Sequence, residues 1–354
     1  MIKKMDESFL NHTAGQMIRK RNNFGAVLCV EQGDNAFSWT GAAGNIEEDD
    51  QYFIASVTKL YVTAVVLKLR AENQLQLEDL IADYLSEDIM RGIHVLNGVD
   101  YSHDITIKHL ISNTSGIPDY FACKESNGKT VASQLFNGKD EDWPLEKTLV
   151  LIKKQKPKFK PGQRGKVNYS DTNYQLLGKI IENITGLNMR EVFQTFIFDE
   201  LGLSKTYVYE DVNDTKPVSL YYKSNTVNLP LYMSSIAPEG GIVSTANEMM
   251  IFLKAFFNGY FFPKEEVEEL KQWNRIYFPG QFYYGIGLEN LWVPRFLSPY
   301  KPIKEILGFW GQTGAFAFYN PERDVYFTGT INQSSGFGHS AAFNAMIKII
   351  KAIS

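Results

Sequence analysis

The chain has 354 residues, 44% hydrophobic and 21% charged, with a net charge of −4 and a pI of about 5.8. That is enough apolar material for a large core or two lobes. It excludes the basic field that nucleic acid or an anionic membrane surface requires, and no run of about 20 uncharged apolar residues marks a membrane span.

Read in order, residues 5–20 put Met5, Phe9, Leu10, Ala14, Met17 and Ile18 on one stripe, which predicts an amphipathic helix. Ala26-Val27-Leu28-Cys29-Val30 reads as a buried strand, with Cys29 as a small hydrophobe. Gly33-Asp34-Asn35 turns the chain into an antiparallel partner at residues 36–40. Residues 51–54 form a third short strand, and an apolar helix begins soon after.

Residues 75–232 read as helices with long loops. A short helix at 105–111 stops at Ser112-Asn113-Thr114-Ser115-Gly116. Leu176, Leu177, Ile180, Ile181 and Ile184 recur at helical spacing, and a further helix at 189–201 stops at Gly202. Thr245-Ala246-Asn247-Glu248 is a capping-box pattern that opens a helix ending at Asn258-Gly259. Strands return at 283–288, 315–319 and 325–331, the last two joined across Asn320-Pro321-Glu322-Arg323-Asp324. Residues 342–353 form a closing helix. The expected fold is α+β, an α/β sandwich. An antiparallel sheet from both chain ends (1–74 and 235–354), flanked by helices, holds an inserted, mostly helical lobe (75–234), with the active site between the two.

Chemistry enters at Ser56-Val57-Thr58-Lys59. A serine and a lysine three residues apart share one helix face. The serine lies at a helix N-terminus, where partial positive charge favours an oxyanion. Ser126 to Lys129 and Ser298 to Lys301 repeat the spacing, but neither leads into an apolar helix. Lys59 either works in the site or snorkels out of the core. A second patch is Asn168-Tyr169-Ser170-Asp171: a phenol beside a cationic lysine favours its ionised form and becomes a usable base, while Asp171 either joins the site or caps the next helix. A third is Trp310-Gly311-Gln312-Thr313-Gly314-Ala315, whose small residues would let a ligand lie along a strand edge. Gly336-Phe337-Gly338-His339-Ser340-Ala341 fits a dinucleotide fingerprint. The chain ends too soon after it for a second parallel strand, and it is read as a loop. The basic run at 153–160 is read as a solvated segment.

Together these motifs resemble the serine β-lactamase and penicillin-binding protein superfamily, in the branch of class C β-lactamases, D-alanyl-D-alanine carboxypeptidases, D-aminopeptidases and related esterases. Ser56-x-x-Lys59, Tyr169-Ser170-Asp171 and Gln312-Thr313-Gly314 stand in the superfamily's order. The flanking residues 110–120, Pro161-Gly162, 173–178 and 240–245 match as well. The resemblance implies a β-lactamase/DD-peptidase-like fold and catalysis by Ser56, Lys59 and Tyr169 through an acyl-enzyme, with either Lys59 or Tyr169 as base. It also implies an oxyanion hole from the backbone N–H groups of Ser56 and Ala315, and substrate contacts from Asp171, Gln312, Thr313 and Gly314.

Two positions depart from the pattern. Gln312 stands where the superfamily has lysine or histidine, so an ion pair to a substrate carboxylate is lost. Asp171 stands where asparagine donates to the substrate's amide carbonyl; a carboxylate only accepts, and it can pair with Lys59 or with a substrate ammonium. Both changes turn the expectation from β-lactamase toward an esterase, amidase or aminopeptidase acting on a small molecule or peptide. The competing expectation is a non-catalytic, penicillin-binding-like sensor or scaffold. No metal site or cofactor is expected: the two cysteines, Cys29 and Cys123, make neither a disulfide framework nor a zinc site. The sequence as written is expected in the cytoplasm, or outside it if a leader once preceded Met1.

Overall fold

The computed structural model describes residues 6–19, 22–33, 37–276, 282–299 and 302–353. Met5, the turn residues Asp34, Asn35 and Ala36, and Lys301 lie outside them. The main sheet has eight antiparallel strands, in the order Asn274–Ile276, Phe282–Tyr284, Glu289–Leu291, Leu307–Trp310, Phe316–Asn320, Val325–Thr330, Gly25–Gln32 and Ser38–Gly44. Strands from the two ends of the chain pair one strand in from an edge of this sheet, Val27 with Thr330 and Cys29 with Thr328. Val325–Thr330 is buried at all six positions, as expected of a strand covered on both faces. Glu7–Met17 and Gly336–Ala352 pack together as one helical layer, tied by Lys348 Nζ to Gln16 Oε1 at 2.9 Å. Ala246–Phe257 packs on the central strands, and its Ala246 carbonyl accepts from Thr328 Oγ1 at 2.7 Å.

Local chemistry explains the element ends. Asp6 caps the first helix by accepting from Phe9 N–H at 2.8 Å. Thr245 caps Ala246–Phe257 through Glu248 N–H at 3.2 Å. The reciprocal half of the expected capping box does not form, because the Glu248 carboxylate is taken by Ser204 N–H, Lys205 N–H and Thr206 Oγ1. The long helix after Tyr169 runs Asp171–Thr185 and stops at Gly186, φ 71°. The next passes through one π turn at Gln194–Phe198 before ending at Gly202, φ 67°.

Several expectations need correction. The strand at 51–54 shortens to Tyr52–Phe53 and leaves the main sheet for a separate three-stranded one with Ile242–Ser244 and Tyr207–Val208. The fingerprint at 336–341 is no loop: it is the first turn of the last helix. Glycine's low helix propensity argues for a loop, but tertiary packing overrides it. His339 sits edge-on to Trp310 with centroids 5.0 Å apart, and its Nε2 donates to the Gly311 carbonyl at 2.8 Å.

The strand expected over 283–288 is a hairpin. Phe282–Tyr284 and Glu289–Leu291 are joined by a tight turn in which Gly285 N–H donates to Leu288 O at 2.8 Å. Gly287 has φ 61°, and a Cβ there would lie 2.1 Å from Thr63 Oγ1. Its carbonyl accepts from that same hydroxyl at 3.1 Å and its N–H donates to Ile111 O at 3.0 Å. This turn therefore braces the Thr58–Ala71 helix, which carries Lys59. Gly287→Ala combines a positive φ with a steric overlap, and is expected to lower unfolding free energy by about 1–3 kcal/mol. Urea denaturation of the two proteins side by side measures it.

Candidate active site

Ser56 lies in a single 3₁₀ turn, Ala55–Val57, that leads into the Thr58–Ala71 helix. The residue before it, Ala55, has φ 46°, a left-handed conformation for a side chain with a Cβ. The strain is held by what packs around it. Ile54 N–H donates to Ile242 O at 3.0 Å, and a Cβ on Gly311 would sit 2.3 Å from the Ile54 carbonyl. Ser56 is half-buried, with its hydroxyl 3.0 Å from Lys59 Nζ. The spacing of serine and lysine thus closes in space, as their shared face predicts.

Lys59 does not snorkel. It is fully buried, and its ammonium is ringed by acceptors: Ser56 Oγ, the Glu239 carbonyl at 2.9 Å and Asp171 Oδ1 at 2.7 Å. The Tyr169 and Tyr174 rings lie 5.3 and 5.2 Å from it. A buried ammonium is tolerable only when its three donors are met and an opposite charge is near, and here both conditions hold.

Tyr169 and Asp171 are brought in by the loop of residues 113–120. The Asn113 carbonyl accepts from Asn168 N–H at 2.9 Å, and its side-chain oxygen accepts from Ser170 N–H at 3.1 Å and Asn173 Nδ2 at 2.8 Å. The Pro118 carbonyl takes the Ser170 and Thr172 hydroxyls. Ser170 occupies the helix N-cap, so Asp171 is the first helical residue, its N–H on Asp119 Oδ1 at 3.1 Å and its carboxylate on Lys59. Tyr169 stands edge-on to Tyr284. The phenolate expected beside a lysine is not favoured: burial, then the Asp171 and Glu289 carboxyls, push the Tyr169 phenol well above its ordinary range, and hydrogen bonding with the Ser56 side chain only partly opposes them. The lysine's charge is already balanced by Asp171.

Residues 311–315 are a hairpin turn between Leu307–Trp310 and Phe316–Asn320, rather than a strand with an open edge. Phe316–Asn320 is paired on both sides. Gly314, φ 92°, permits the turn. Thr313 Oγ1 donates to Phe53 O at 2.6 Å, which seats the turn, and Ala315 with it, against the segment leading to Ser56. Gln312 is exposed, and its amide Nε2 is engaged by the Ser334 carbonyl at 2.8 Å.

The structure adds groups that sequence reasoning did not assign. Asp119 is raised to about 7 by burial and by the Asp171 carboxylate. Glu239, 2% exposed, is bonded by the Tyr120 hydroxyl and lies 3.4 Å from Gln175 Nε2. Burial, then Asp171, holds it well above the carboxylate range. Glu289, also 2% exposed, accepts from Trp310 N–H at 3.2 Å and is pushed up to about 8 by burial. The one available signal was a glutamate amid apolar text: Ile236-Ala237-Pro238 before Glu239, and Ile286-Gly287-Leu288 before Glu289.

The Beta-lactamase family model matches residues 10–348. The chain belongs to the Beta-lactamase family. Its mixed α/β fold is one that its solved relatives share. A protein of Salmonella agona (strain SL483), provisionally named a D-alanyl-D-alanine carboxypeptidase, is 33% identical over 156 residues, 44% of this chain and 33% of its own length. The chain thus spans only about a third of such relatives. Two solved structures superpose along nearly the whole chain. A D-stereospecific amidohydrolase from Streptomyces sp. has TM-score 0.77 and 23% identity, covering 96% of this chain and 98% of its own. The D-amino acid amidase from Ochrobactrum anthropi SV3 has TM-score 0.77 and 19% identity, covering 97% and 99%. At these identities the likeness speaks for the fold of this Beta-lactamase family member. Among the described residues, no helix is long and apolar enough to cross a membrane.

Glu289 gives a pH test of this electrostatic picture. Its folded pKa, about 8, lies above the unfolded value of 4.5. Between those values the folded state keeps a proton that the unfolded state has lost, so this group's contribution to stability falls as pH rises from about 4.5 to about 8 and then levels. Glu289→Gln removes that slope. Denaturation at pH 5 and pH 8 is expected to show the variant gaining on the wild type by about 1 kcal/mol or more at the higher pH.

Proposed function

We propose that this chain hydrolyses esters or amides through an acyl-enzyme on Ser56, as an esterase, D-aminopeptidase or DD-peptidase-like enzyme with weak or no β-lactamase activity. The carrying observation is the Ser56, Lys59 and Asp171 chain of contacts at 3.0 and 2.7 Å, with Tyr169 beside it. Ser56 Oγ attacks the acyl carbonyl. For attack, Lys59 first passes a proton to Asp171, 2.7 Å away, and as the neutral amine takes the Ser56 proton; the Tyr169 phenol gives its own proton to the leaving amine or alcohol and is reprotonated from Lys59. Because the Tyr169 phenol is held protonated, it serves best as the donor to the leaving group. The backbone N–H groups of Ser56 and Ala315 face the developing oxyanion, each such donor being worth about 10²–10³-fold. Water then deacylates the enzyme.

Gln312 argues against substrates whose leaving group carries a free carboxylate. It supplies a neutral hydrogen bond where an ion pair would be stronger, and its donor is already on Ser334. The names of the D-stereospecific amidohydrolase and the D-amino acid amidase point the same way.

Purified protein is expected to show an acyl adduct on Ser56 by mass spectrometry after an active-site serine probe. It should also show burst turnover of p-nitrophenyl esters that Ser56→Ala abolishes. A folded protein with neither would instead be a binding module. Faster cleavage of a chromogenic cephalosporin than of p-nitrophenyl esters and D-amino-acid amides would refute the substrate preference. Gln312→Lys should raise kcat/KM for a free-carboxylate substrate relative to a neutral ester by about tenfold.

A further inference from the structure

We propose that residues 154–166 form a docking ridge for a linear polyanion, a flexible polymer of the polyphosphate kind whose anionic groups repeat along its backbone. The segment carries six cations, Lys154, Lys156, Lys158, Lys160, Arg164 and Lys166, and no acid interrupts them. All six are exposed. The chain as a whole is acidic, with 36 Lys and Arg against 40 Asp and Glu, so the ridge runs against the charge of the molecule. Among the described residues none of the six is close enough to a carboxylate to form an ion pair, whereas Lys108, Lys179 and Lys205 each do so. Lys160 has the Tyr101 side chain as its neighbour, 5.2 Å from the ring centroid.

The segment is tied to the body of the protein. Its burial alternates, with Pro157 and Phe159 packed inward between the exposed Lys156, Lys158 and Lys160. Lys158 N–H donates to Gly116 O at 2.9 Å, Gly162 N–H to Thr114 O at 2.9 Å, and His94 Nε2 to Phe159 O at 2.8 Å. Gly116, φ 77°, admits this close approach, since a Cβ there would lie 2.1 Å from Phe159 O. The cations therefore stand on a fixed backbone, and less freedom is lost when they bind. Like charges held together without acids raise the local positive potential. A polyanion lowers it and releases its own condensed counterions.

The surroundings decide the shape of the partner. Lys153, just before the ridge, donates to Asp88 O at 2.9 Å and lies near the Asp88 and Glu87 carboxylates. A broad anionic surface would meet those acids too, while a thin strand can lie on the cations alone. Single-stranded nucleic acid calls for exposed aromatic platforms, and Phe159, the one aromatic residue in the segment, is buried. The partner is therefore a strand of charge without bases. The loop that anchors the ridge also seats the Tyr169 segment, through Asn168 N–H on Asn113 O at 2.9 Å, so a bound strand runs up to the flank of the site.

The test titrates the full chain with long-chain polyphosphate by isothermal calorimetry over a series of salt concentrations. Six contacts predict a slope of log K against log salt of about −4. The combined variant Lys156→Gln, Lys158→Gln and Lys160→Gln is expected to bind about tenfold or more weakly at low salt, with a slope shallower by about 2. The combined control Lys108→Gln, Lys179→Gln and Lys205→Gln removes the same charge from paired positions and should bind within about twofold of the wild type. Thermal melting followed by circular dichroism checks that each variant folds. If the first does not, Lys154→Gln, Arg164→Gln and Lys166→Gln together take its place with the same expectation. No binding by the wild type at low salt, an unchanged affinity in the ridge variant, or an equal loss in the control overturns the inference. So does binding as tight to phosphatidylglycerol vesicles, to single-stranded DNA or to inorganic phosphate at matched phosphate concentration.

Discussion

The site depends on one buried cation. Lys59 has no solvent to hydrate it, so every donor on its nitrogen must be met by protein, and the three acceptors it finds come from three distant parts of the chain. Ser56 is local, Asp171 begins a helix in the middle of the sequence, and Glu239 precedes the glycine pair that leads into the Ile242–Ser244 strand of the small sheet. An unpaired ammonium in that position would cost several kcal/mol. The ion pair is therefore a constraint on assembly: the helical region of residues 75–234 has to present Asp171 where the Ser56 turn presents Lys59.

The supporting parts follow from that constraint. Asn113 holds the Tyr169–Asp171 segment by backbone N–H groups and Pro118 by the Ser170 and Thr172 hydroxyls, which leaves Tyr169 and Asp171 to face Lys59. The Gly285 to Leu288 turn props the lysine-bearing helix from behind through Thr63. The 311–315 turn closes on Ile54 and Phe53 and so fixes where Ala315 stands relative to the strained residue before Ser56. Strain at Ala55 persists because these contacts over-determine it. Each element is unremarkable alone, and each is placed by a hydrogen bond to a residue far away in sequence.

Several carboxyl groups gather near the same lysine. Asp171 pairs with the lysine, and Asp119 and Glu239 stand close by, Asp119 on the Asp171 N–H and Glu239 on the Tyr120 hydroxyl. Gln312 donates its amide to the Ser334 carbonyl. The ion pair with Asp171 is the charge pairing of that lysine, while burial pushes Asp119 up to about 7 and Glu239 well above the carboxylate range.

Much of this was legible in the sequence. The Ser56 to Lys59 spacing, the apolar helix behind it, the Tyr169 to Asp171 patch and the family's order of motifs are local patterns, and i, i+3 geometry guarantees that serine and lysine meet. The central strands and the closing helix were readable because their apolar periodicity is strong. Tertiary structure alone decided the rest. Residues 283–288 fold into a hairpin because Thr63 and Ile111 bond Gly287, and 336–341 become helix because His339 finds Trp310 and Gly311. No local pattern reports those partners. The Tyr169 phenol is pushed up by burial first and then by the Asp171 and Glu289 carboxyls, and Glu239 comes to lie buried beside Tyr120 only in the fold. Residue type and spacing are local and sequence carries them; the charge state of a buried group is a sum over neighbours from the whole chain, and only the folded molecule performs that sum.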